Sequence, residues 1–468
     1  MKRNIMKAIT VLLTAVMLFS ACSGSSMGRT PVTPSAPITE TAATSAAQGS
    51  SAALNTETPS PDTTSATPQA VVEIEFWHAM SGSNGDALQN IVDKYNETHE
   101  YAKVNAVFQG KYTELFEKLA GASQSGTLPA MTQIYANRLT AYIMNDFVQE
   151  LDSFINDAEK GLTAAQLADI PPVFTERSKW GDTMYTLPCN KSVYLMFYNE
   201  DMLKEAGVPV PTTWGELRAA AETLTKDGVI GVGFNKSVGT DFSYWVEQAG
   251  GHLMDENEEN ITFNSPETIE AYEFVTGMVK DGIGMIAWEE SYITGPITRG
   301  ELAIGFTTTS NTVDIYNGAK DFGTNIKSAE VPVGKVKAVS FSGTDMTMFS
   351  TVSEEQKQVA WDFMKFWLDT ENTTQWGMES GYLPLTYSGF ETAEFKAYLA
   401  ENDLKAPGFN CFNYGFRDPS ALNAIAIHQS MQAAIEKIVL EDMDIAEAIN
   451  EAEAIAVKEM ADARANFK

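Results

Sequence analysis

The chain has 468 residues, with 62 Asp plus Glu against 32 Lys plus Arg and a formal net charge of −30. Such an acidic balance argues against nucleic acids and anionic membrane surfaces as partners of the protein as a whole. No run of residues after position 70 is apolar for long enough to cross a bilayer.

Residues 1–21 have the pattern of a secretory signal peptide. Basic residues precede the apolar run ITVLLTAVMLF, which ends at small residues and is too short for a comfortable membrane span. The following LFSAC resembles the lipobox of bacterial lipoproteins. That resemblance implies cleavage before Cys22 and acylation of its thiol. An ordinary signal peptide with an incidental cysteine is the alternative.

Residues 22–70 are predicted to form a disordered tether. Of the 48 residues 23–70, 34 are Ser, Thr, Ala or Pro, and this composition cannot bury enough apolar surface to fold. A flexible chain of this length has a root-mean-square span of about 40 Å. It is expected to lift a globular body off a membrane, or to form an O-modified stalk.

The body from residue 71 alternates predicted strands and helices. VVEIEF predicts a strand, SGSNGDALQNIVDKYNE has one apolar helical face, and AKVNAVFQG predicts a second strand. This order indicates a parallel sheet. The apolar run YTLPCNKSVYLMFYN is interrupted once, as expected where a strand crosses between two domains. The pattern favours an α/β fold, as one large unit or two smaller ones. Further helices are predicted at 213–228, 266–280, 354–369, 420–440 and 444–465.

Motifs for catalysis or metal binding are missing from the body of the sequence. From residue 71 onward it contains no G-x-S-x-G, H-E-x-x-H or P-loop pattern, and its four histidines are expected to be surface or packing residues. Cys189 and Cys411 form either one disulfide or two buried thiols, and we favour the thiols. We therefore predict a non-enzymatic protein without a cofactor or metal. A glycosidase that uses paired acids such as Glu289 and Glu290 is the weaker alternative.

Five segments carry a family resemblance: EIEFWHAM, KYTELFEKLAGA, YTLPCNKSVYLMFYNEDMLKEAGV, PTTWGELRAAAETL and ESGYLPLT. Together with the lipoprotein signal and the tether, they resemble the extracellular solute-binding proteins of ABC importers. The resemblance implies a two-lobed periplasmic-binding-protein α/β fold with three inter-lobe crossings and a central ligand cleft. The implied bounds are 71–188 and 307–343 for lobe 1, 189–306 and 344–468 for lobe 2, and Pro188–Ser192, Phe306–Thr309 and Gly343–Met346 for the crossings.

Within that family, the chain is most similar to the subgroup that binds glycerol 3-phosphate and its diesters. The resemblance implies that a guanidinium, hydroxyls and a backbone N–H hold the phosphate, whose oxygens accept hydrogen bonds. Where the subgroup has a Glu for the glycerol hydroxyls, this chain has Ala136 and Asn137, and the subgroup's paired tryptophans are absent. The positions that match the subgroup's pocket are Tyr112, Ser192, Thr309, Gly343, Tyr382, Arg417, Trp77 and His78.

The sequence thus predicts a lipid-anchored, monomeric solute receptor on the extracytoplasmic face of the cell membrane. It is expected to close two lobes on a small polar solute and to dock on the transmembrane subunits of an ABC permease. The favoured ligand is glycerol 3-phosphate or a glycerophosphodiester. A sugar or oligosaccharide that stacks on Trp77, Trp245 or Trp288 is the alternative.

Overall fold

The computed structural model describes residues 70–466, so the predicted signal peptide and residues 22–69 of the predicted tether lie outside the described residues. The strands are β1 (Val72–His78), β2 (Ala102–Phe108), β3 (Met131–Ile134), β4 (Lys179–Trp180), β5 (Thr183–Met184), β6 (Leu187–Pro188), β7 (Ser192–Asn199), β8 (Ile230–Asn235), β9 (Gly284–Ala287), β10 (Leu302–Thr308), β11 (Ile326–Ala329), β12 (Val339–Ser342), β13 (Asp345–Met348) and β14 (Gly415–Phe416).

The α-helices are α1 (Gly82–Thr98), α2 (Tyr112–Ser125), α3 (Ala136–Met144), α4 (Asp152–Ile155), α5 (Ala164–Asp169), α6 (Pro172–Thr175), α7 (Glu200–Ala206), α8 (Trp214–Leu224), α9 (Ser243–Ala249), α10 (Pro266–Lys280), α11 (Thr294–Thr298), α12 (Thr312–Phe322), α13 (Glu354–Leu368), α14 (Thr370–Glu379), α15 (Tyr387–Glu391), α16 (Ala393–Glu401), α17 (Ile425–Leu440) and α18 (Ile445–Asn466). Two 3-10 helices span Thr309–Asn311 and Asp403–Asn413.

Helix starts follow the capping residues that the sequence provides. Thr213 precedes α8, and its side chain accepts a hydrogen bond from the backbone N–H of Glu216. Ser353 and Gln356 form a capping box at the start of α13. The predicted helix at 266–280 has these same bounds in the structure, because a local cap and a local apolar period specify it.

Lobe 1 is built on a five-stranded sheet in the order β2-β1-β3-β13-β6. The pairs β1–β2 and β1–β3 are parallel, as the strand-helix-strand order predicts, whereas β13 is antiparallel to both β3 and β6. Helices α1 and α13 pack on this sheet. The sheet orients β3 so that the chain leaves it toward the other lobe.

Lobe 2 is built on a seven-stranded sheet in the order β14-β12-β7-β10-β8-β9, with β11 also paired to β7. The pairs β10–β8 and β8–β9 are parallel, and β7 is antiparallel to β10, β11 and β12. The fold is therefore an α/β fold in two lobes, each with its own sheet.

Three crossings join the lobes. The first is the link between β6 of lobe 1 and β7 of lobe 2, and the second is the two-residue link between β12 of lobe 2 and β13 of lobe 1. The third follows α14, which packs on α1 of lobe 1, and precedes the 3-10 helix Asp403–Asn413, which packs on β7 and β11 of lobe 2.

Strand pairing corrects two expectations about the lobes. A crossing near Phe306–Thr309 is wrong, because β10 and the following strand β11 both pair with β7 in the lobe 2 sheet. Residues 307–343 thus lie in lobe 2 rather than lobe 1. The assignment of 344–468 to lobe 2 is wrong for β13, α13 and α14, which belong to lobe 1, whereas α17 and α18 pack on α10 of lobe 2.

Both cysteines of the body are buried and free, which agrees with the favoured expectation. Burial raises the pKa of the Cys189 thiol to about 12, so this thiol is protonated near neutral pH and unreactive. Among the residues described, no helix has the length and apolar character that a membrane span requires.

Candidate ligand-binding site

A cavity of about 280 Å³ lies between the two lobes. Lobe 1 contributes the end of β3 and the start of α3, where Tyr135 precedes Ala136 and Asn137. Lobe 2 contributes the loop before α9, the end of β12, the segment after β14 and the first turn of α17. The lobe 2 residues that line the cavity are Thr240, Asp241, Phe341, Ser342, Gly343, Arg417, Asp418, Pro419, Ile425 and His428.

Contacts at the rim hold the lobes together beside this cavity. The Thr140 hydroxyl on α3 of lobe 1 donates to the backbone carbonyl of Ser420 in lobe 2 at 2.8 Å. The Arg177 guanidinium, which follows α6, forms an ion pair with Glu258 of lobe 2. The cleft is therefore bridged by protein contacts on this side.

His428 has a fixed orientation in the cavity wall. Its Nδ1 lies 2.8 Å from the backbone carbonyl of Thr240, and because a carbonyl only accepts, Nδ1 must carry the hydrogen. In the neutral ring, Nε2 is then an acceptor. This atom lies 4.0 Å from Oδ2 of Asp418, beyond hydrogen-bond distance.

Three residues that line this cavity each have a buried acceptor atom without a hydrogen-bond partner among the described residues: Asn137 Oδ1, Asp418 Oδ1 and His428 Nε2. Asp241 lies nearby, and Ser237 Oγ donates to its carboxylate at 2.8 Å. We name Asn137, Asp241, Asp418 and His428 the cavity cluster. An unsatisfied buried polar group costs about 1–3 kcal/mol, so the cavity cluster is suited to a ligand that brings hydrogen-bond donors.

The side chain of Arg417, a residue that lines the cavity, already has protein partners. Its Nη1 lies 3.2 Å from Asp345 Oδ2, and Lys191 Nζ lies 2.5 Å from Asp345 Oδ1. The Arg417 guanidinium also donates to the backbone carbonyls of Phe174 and Gly343. We name Lys191, Asp345 and Arg417 the hinge triad, since it joins the first crossing, the second crossing and the segment after β14.

The hinge triad is almost completely buried, with relative exposures of 0%, 1% and 5% for Lys191, Asp345 and Arg417. Burial and the neighbouring Arg417 lower the pKa of Lys191 to about 7, although Asp345 acts in the opposite direction. The ion pairs reduce the large desolvation penalty that isolated buried charges would incur. These contacts make the hinge triad a structural feature of the crossings.

Two of the predicted tyrosines meet beside the first crossing. The Tyr112 hydroxyl accepts hydrogen bonds from Gln133 Nε2 at 3.0 Å and from Asn190 Nδ2 at 3.2 Å. Tyr382 lies next to Tyr112 and Asn190. Burial raises the pKa of both tyrosines, so their hydroxyls stay protonated and able to donate.

Tyr382 is held in place by its turn. Its ring stacks on Trp376 of α14, with 5.5 Å between the centroids and 7° between the planes. The preceding Gly381 approaches Ser310 of lobe 2 so closely that a Cβ would lie 2.0 Å from the Ser310 carbonyl oxygen. This turn therefore lies at the contact between the two lobes.

Three further residues predicted from the resemblance, Ser192, Thr309 and Gly343, are buried or line the cavity. Ser192 is buried at the start of β7 and pairs with Ser342 of β12. Thr309 is buried, and its hydroxyl accepts from the backbone N–H of Val193 at 3.4 Å. Gly343 lines the cavity with a φ of +118°, and a Cβ there would lie 1.9 Å from the carbonyl oxygen of Asn190. Only glycine fits this second crossing.

Trp77 and His78 are not among the described residues that line the cavity. The indole N–H of Trp77 donates to Glu75 at 2.7 Å on the surface, and His78 is buried with its ring 5.8 Å from that of Phe108. Burial lowers the pKa of His78 to about 4, so this ring is neutral. Trp245 is 1% exposed within the lobe 2 core, which leaves no face for a sugar to stack on.

Sequence reasoning missed most of the cavity cluster. Asp241 and Asp418 are two of 62 acids, and the histidines were expected on the surface or in the packing. One signal was present but was not used as a prediction: where the glycerol phosphate subgroup has its Glu, this chain has Ala136 and Asn137. Asn137 is the second residue of α3, three residues after the buried strand β3, and it lines the cavity.

Comparison with known proteins agrees with this architecture. The family described as bacterial extracellular solute-binding protein matches residues 90–402. The chain belongs to this family. Proteins of this family are solute-binding components of ABC importers on the extracytoplasmic side, and we assign this role to the chain.

Individual relatives share part of the sequence and the fold. The sn-glycerol-3-phosphate-binding periplasmic protein UgpB of Rhizobium meliloti is 25% identical over 346 residues, which cover 71% of this chain and 80% of that protein. UgpB from Mycobacterium tuberculosis, solved in complex with glycerophosphocholine, has a TM-score of 0.73 at 20% identity and covers 84% of this chain and 99% of that chain. The sugar-binding protein MalE from Xanthomonas citri has a TM-score of 0.73 at 18% identity, with 85% and 99% covered.

Proposed function

We propose that the cleft captures a hydroxyl-rich solute, a sugar or oligosaccharide, by closure of the two lobes. The observation that carries this proposal is the group of three unpartnered acceptors in the cavity cluster. Sugar hydroxyls donate hydrogen bonds to such atoms, and each bond to a charged acceptor contributes about 1.5–3 kcal/mol. The closed state is favoured because the ligand bridges Asn137 of lobe 1 and Asp418 of lobe 2.

This proposal reverses the order of preference that the sequence resemblance implies. A phosphate brings only acceptors and negative charge, and it would face Asp241 and Asp418 in the same cavity. The guanidinium of Arg417, the expected phosphate partner, already pairs with Asp345. Glycerol 3-phosphate or a glycerophosphodiester is therefore the second candidate. The UgpB relatives and the position of Arg417 in the cavity wall favour it.

The experiment that separates the two candidates is a binding panel. Isothermal titration calorimetry of the body from residue 71 would compare mono-, di- and trisaccharides with glycerol 3-phosphate and glycerophosphocholine. We expect saturable binding of a saccharide, which is recovered chemically unchanged. Binding of the glycerol phosphates alone would overturn the proposal in favour of the second candidate, and turnover of a saccharide would overturn the non-enzymatic assignment.

We also propose that the mature protein is a monomer anchored to the cell membrane through a lipid on Cys22. The support is the LFSAC sequence and the long Ser, Thr, Ala and Pro segment that follows it. The tether would leave the two-lobed body free to dock on the transmembrane subunits. Metabolic labelling with tritiated palmitate should mark the wild type but not the Cys22→Ser variant. Equal labelling of both proteins would contradict the anchor.

A further inference from the structure

The charged groups around the cavity limit which hydroxyl-rich solutes the site can bind. This inference rests on the proposed function. Asp241 and Asp418 both line the cavity, and Asp418 adds to the effect of burial in raising the pKa of Asp241. Among the residues described, His428 is the only basic side chain within 4.0 Å of the Asp418 carboxylate. Two neighbouring carboxylates therefore lack a cationic partner unless His428 is protonated.

The hinge triad does not supply the missing positive charge. Lys191 and Arg417 both contact Asp345, and this triad carries at most one net positive charge. Asp241 and Asp418 carry two negative charges when ionised. Even with Lys191 protonated, the five groups sum to one negative charge, and loss of the Lys191 proton makes the sum more negative.

His428 provides an independent indication that a ligand occupies this place. Its side chain is 4% exposed, and Nε2 has no hydrogen-bond partner among the described residues. A buried, oriented and unpartnered ring nitrogen in a cavity wall is rare in folded proteins, because buried polar atoms are normally satisfied. Asn137 Oδ1 and Asp418 Oδ1 are likewise without a partner among the described residues, so three residues of one cavity wall have acceptor atoms that are not satisfied.

We infer that the solute carries a primary ammonium group, as an amino sugar or an oligosaccharide that contains one. An ammonium group has three N–H donors and one positive charge, and both match what the cavity cluster lacks. A neutral hydroxyl satisfies acceptors but leaves the carboxylates without a counter-charge. A quaternary ammonium brings the charge but donates no hydrogen bond from nitrogen.

A ligand series on the wild-type protein tests this inference directly. Calorimetry would compare a chitosan trisaccharide, which has three free amines, with its N-acetylated form and with maltotriose. We expect the free amine to bind at least about tenfold more tightly than its acetylated form, because acetylation removes the charge and two N–H donors. Glycerophosphocholine serves as the quaternary ammonium probe.

Each outcome has a distinct consequence. Equal affinity for the amine and for the neutral trisaccharides would overturn the ammonium inference and leave the saccharide function intact. Binding of glycerophosphocholine more tightly than every saccharide, without binding of glycerol 3-phosphate, would overturn the primary amine in favour of a quaternary one. Binding of glycerol 3-phosphate with no binding of any saccharide would overturn the proposed function itself.

The variant Asp418→Asn tests the same point from the side of the protein, since it keeps the shape and removes the charge. Affinity for the chitosan trisaccharide should fall about 10- to 100-fold, with a smaller loss for any neutral saccharide. The control Asp462→Asn changes a surface aspartate that pairs with Lys458 and should leave the affinity unchanged. An unchanged ratio of amine to neutral affinity in Asp418→Asn would overturn the inference.

Discussion

Two buried polar clusters meet at the adjacent residues Arg417 and Asp418, and they differ in how completely they are satisfied. Each charged group of the hinge triad contacts a group of opposite charge. In the cavity cluster, three acceptor atoms have no partner among the described residues. Burial alone therefore does not identify a binding residue; the candidates here are residues that both line the cavity and have an unsatisfied buried acceptor.

The difference also distinguishes a structural role from a ligand-binding role, which the sequence resemblance does not distinguish. Arg417 matches the phosphate-binding position of the glycerol phosphate subgroup, yet its guanidinium is held by Asp345, the first residue of β13 after the second crossing. Its neighbour Asp418 is not among the positions that the resemblance matches, yet this residue lines the cavity and its buried Oδ1 has no partner among the described residues. Removal of a residue from the hinge triad should affect stability, and removal of one from the cavity cluster should affect binding.

The largest effect is expected for Asp345→Asn, which leaves Lys191 and Arg417 buried side by side. Loss of one partner of a buried ion pair lowers the free energy of unfolding by about 3–5 kcal/mol. Urea denaturation would measure the change. The control Asp281→Asn breaks an exposed pair with Arg218 and should cost less than about 1 kcal/mol. A loss below about 1 kcal/mol for Asp345→Asn would refute the structural role of the hinge triad.

A smaller loss is expected for Arg417→Met. Because Lys191 remains in contact with Asp345, the free energy of unfolding should fall by about 3 kcal/mol, at the lower end of the range for a broken buried pair. Urea denaturation and calorimetry would measure stability and binding on the same sample. Full stability combined with loss of glycerol 3-phosphate binding would instead support the phosphate role that the resemblance implies.

Much of the fold was predictable from local patterns. The caps at Thr213 and Ser353 and the apolar periods of the helices lie within short segments, so the sequence specifies them directly. The second crossing was misplaced because the strands β11 and β12 are recognised only through pairing with β7, which lies more than a hundred residues earlier. Sequence periodicity contains no information about such partners.

The candidate site was less predictable for the same reason. Tyr112 and Tyr382 were identified through a resemblance and lie side by side, whereas Asp241, Asp418 and His428 come from three distant segments that only the folded chain brings together. The resemblance also could not reveal that Asp345 lies close enough to pair with Arg417. Whether a charged residue is available to a ligand depends on which residues lie next to it in the folded chain.

The variant His428→Gln changes a residue of the cavity cluster and should lower affinity rather than stability, unlike the variants of the hinge triad. Stability should change by less than about 1 kcal/mol, because only the hydrogen bond to the Thr240 carbonyl is altered. The affinity for the tightest-binding saccharide of the panel should fall about tenfold. The control His252→Gln alters an exposed ring beside Glu247 and should change neither property. A large loss of stability with unchanged affinity would place His428 with the structural residues.

The last effect concerns Lys405, a buried lysine whose ammonium group donates to backbone carbonyls and lies 5.2 Å from the centroid of the Tyr398 ring. Its Nζ donates to the carbonyls of Gly377 and Ser380 at 2.6 and 2.5 Å, and burial lowers its pKa to about 7. The unfolded chain has a lysine pKa of about 10.4 and thus binds more protons above pH 7. Lys405 should therefore make stability rise between pH 7 and 9, by at most about 1.4 kcal/mol per pH unit.

The variant Lys405→Met isolates this contribution, because it removes the titrating group and keeps much of the side-chain volume. Its stability should rise less steeply than that of the wild type over the same interval, as followed by urea denaturation at several pH values. The exposed pair of Lys396 with Glu391 provides the control Lys396→Met, which should keep the wild-type slope. Parallel profiles for the wild type and Lys405→Met would show that the carbonyls hold the ammonium charged. Backbone carbonyls and the Tyr398 ring would then stabilise a buried charge without a carboxylate partner. The contrast between the hinge triad and the cavity cluster would in that case rest on hydrogen bonding rather than on charge balance.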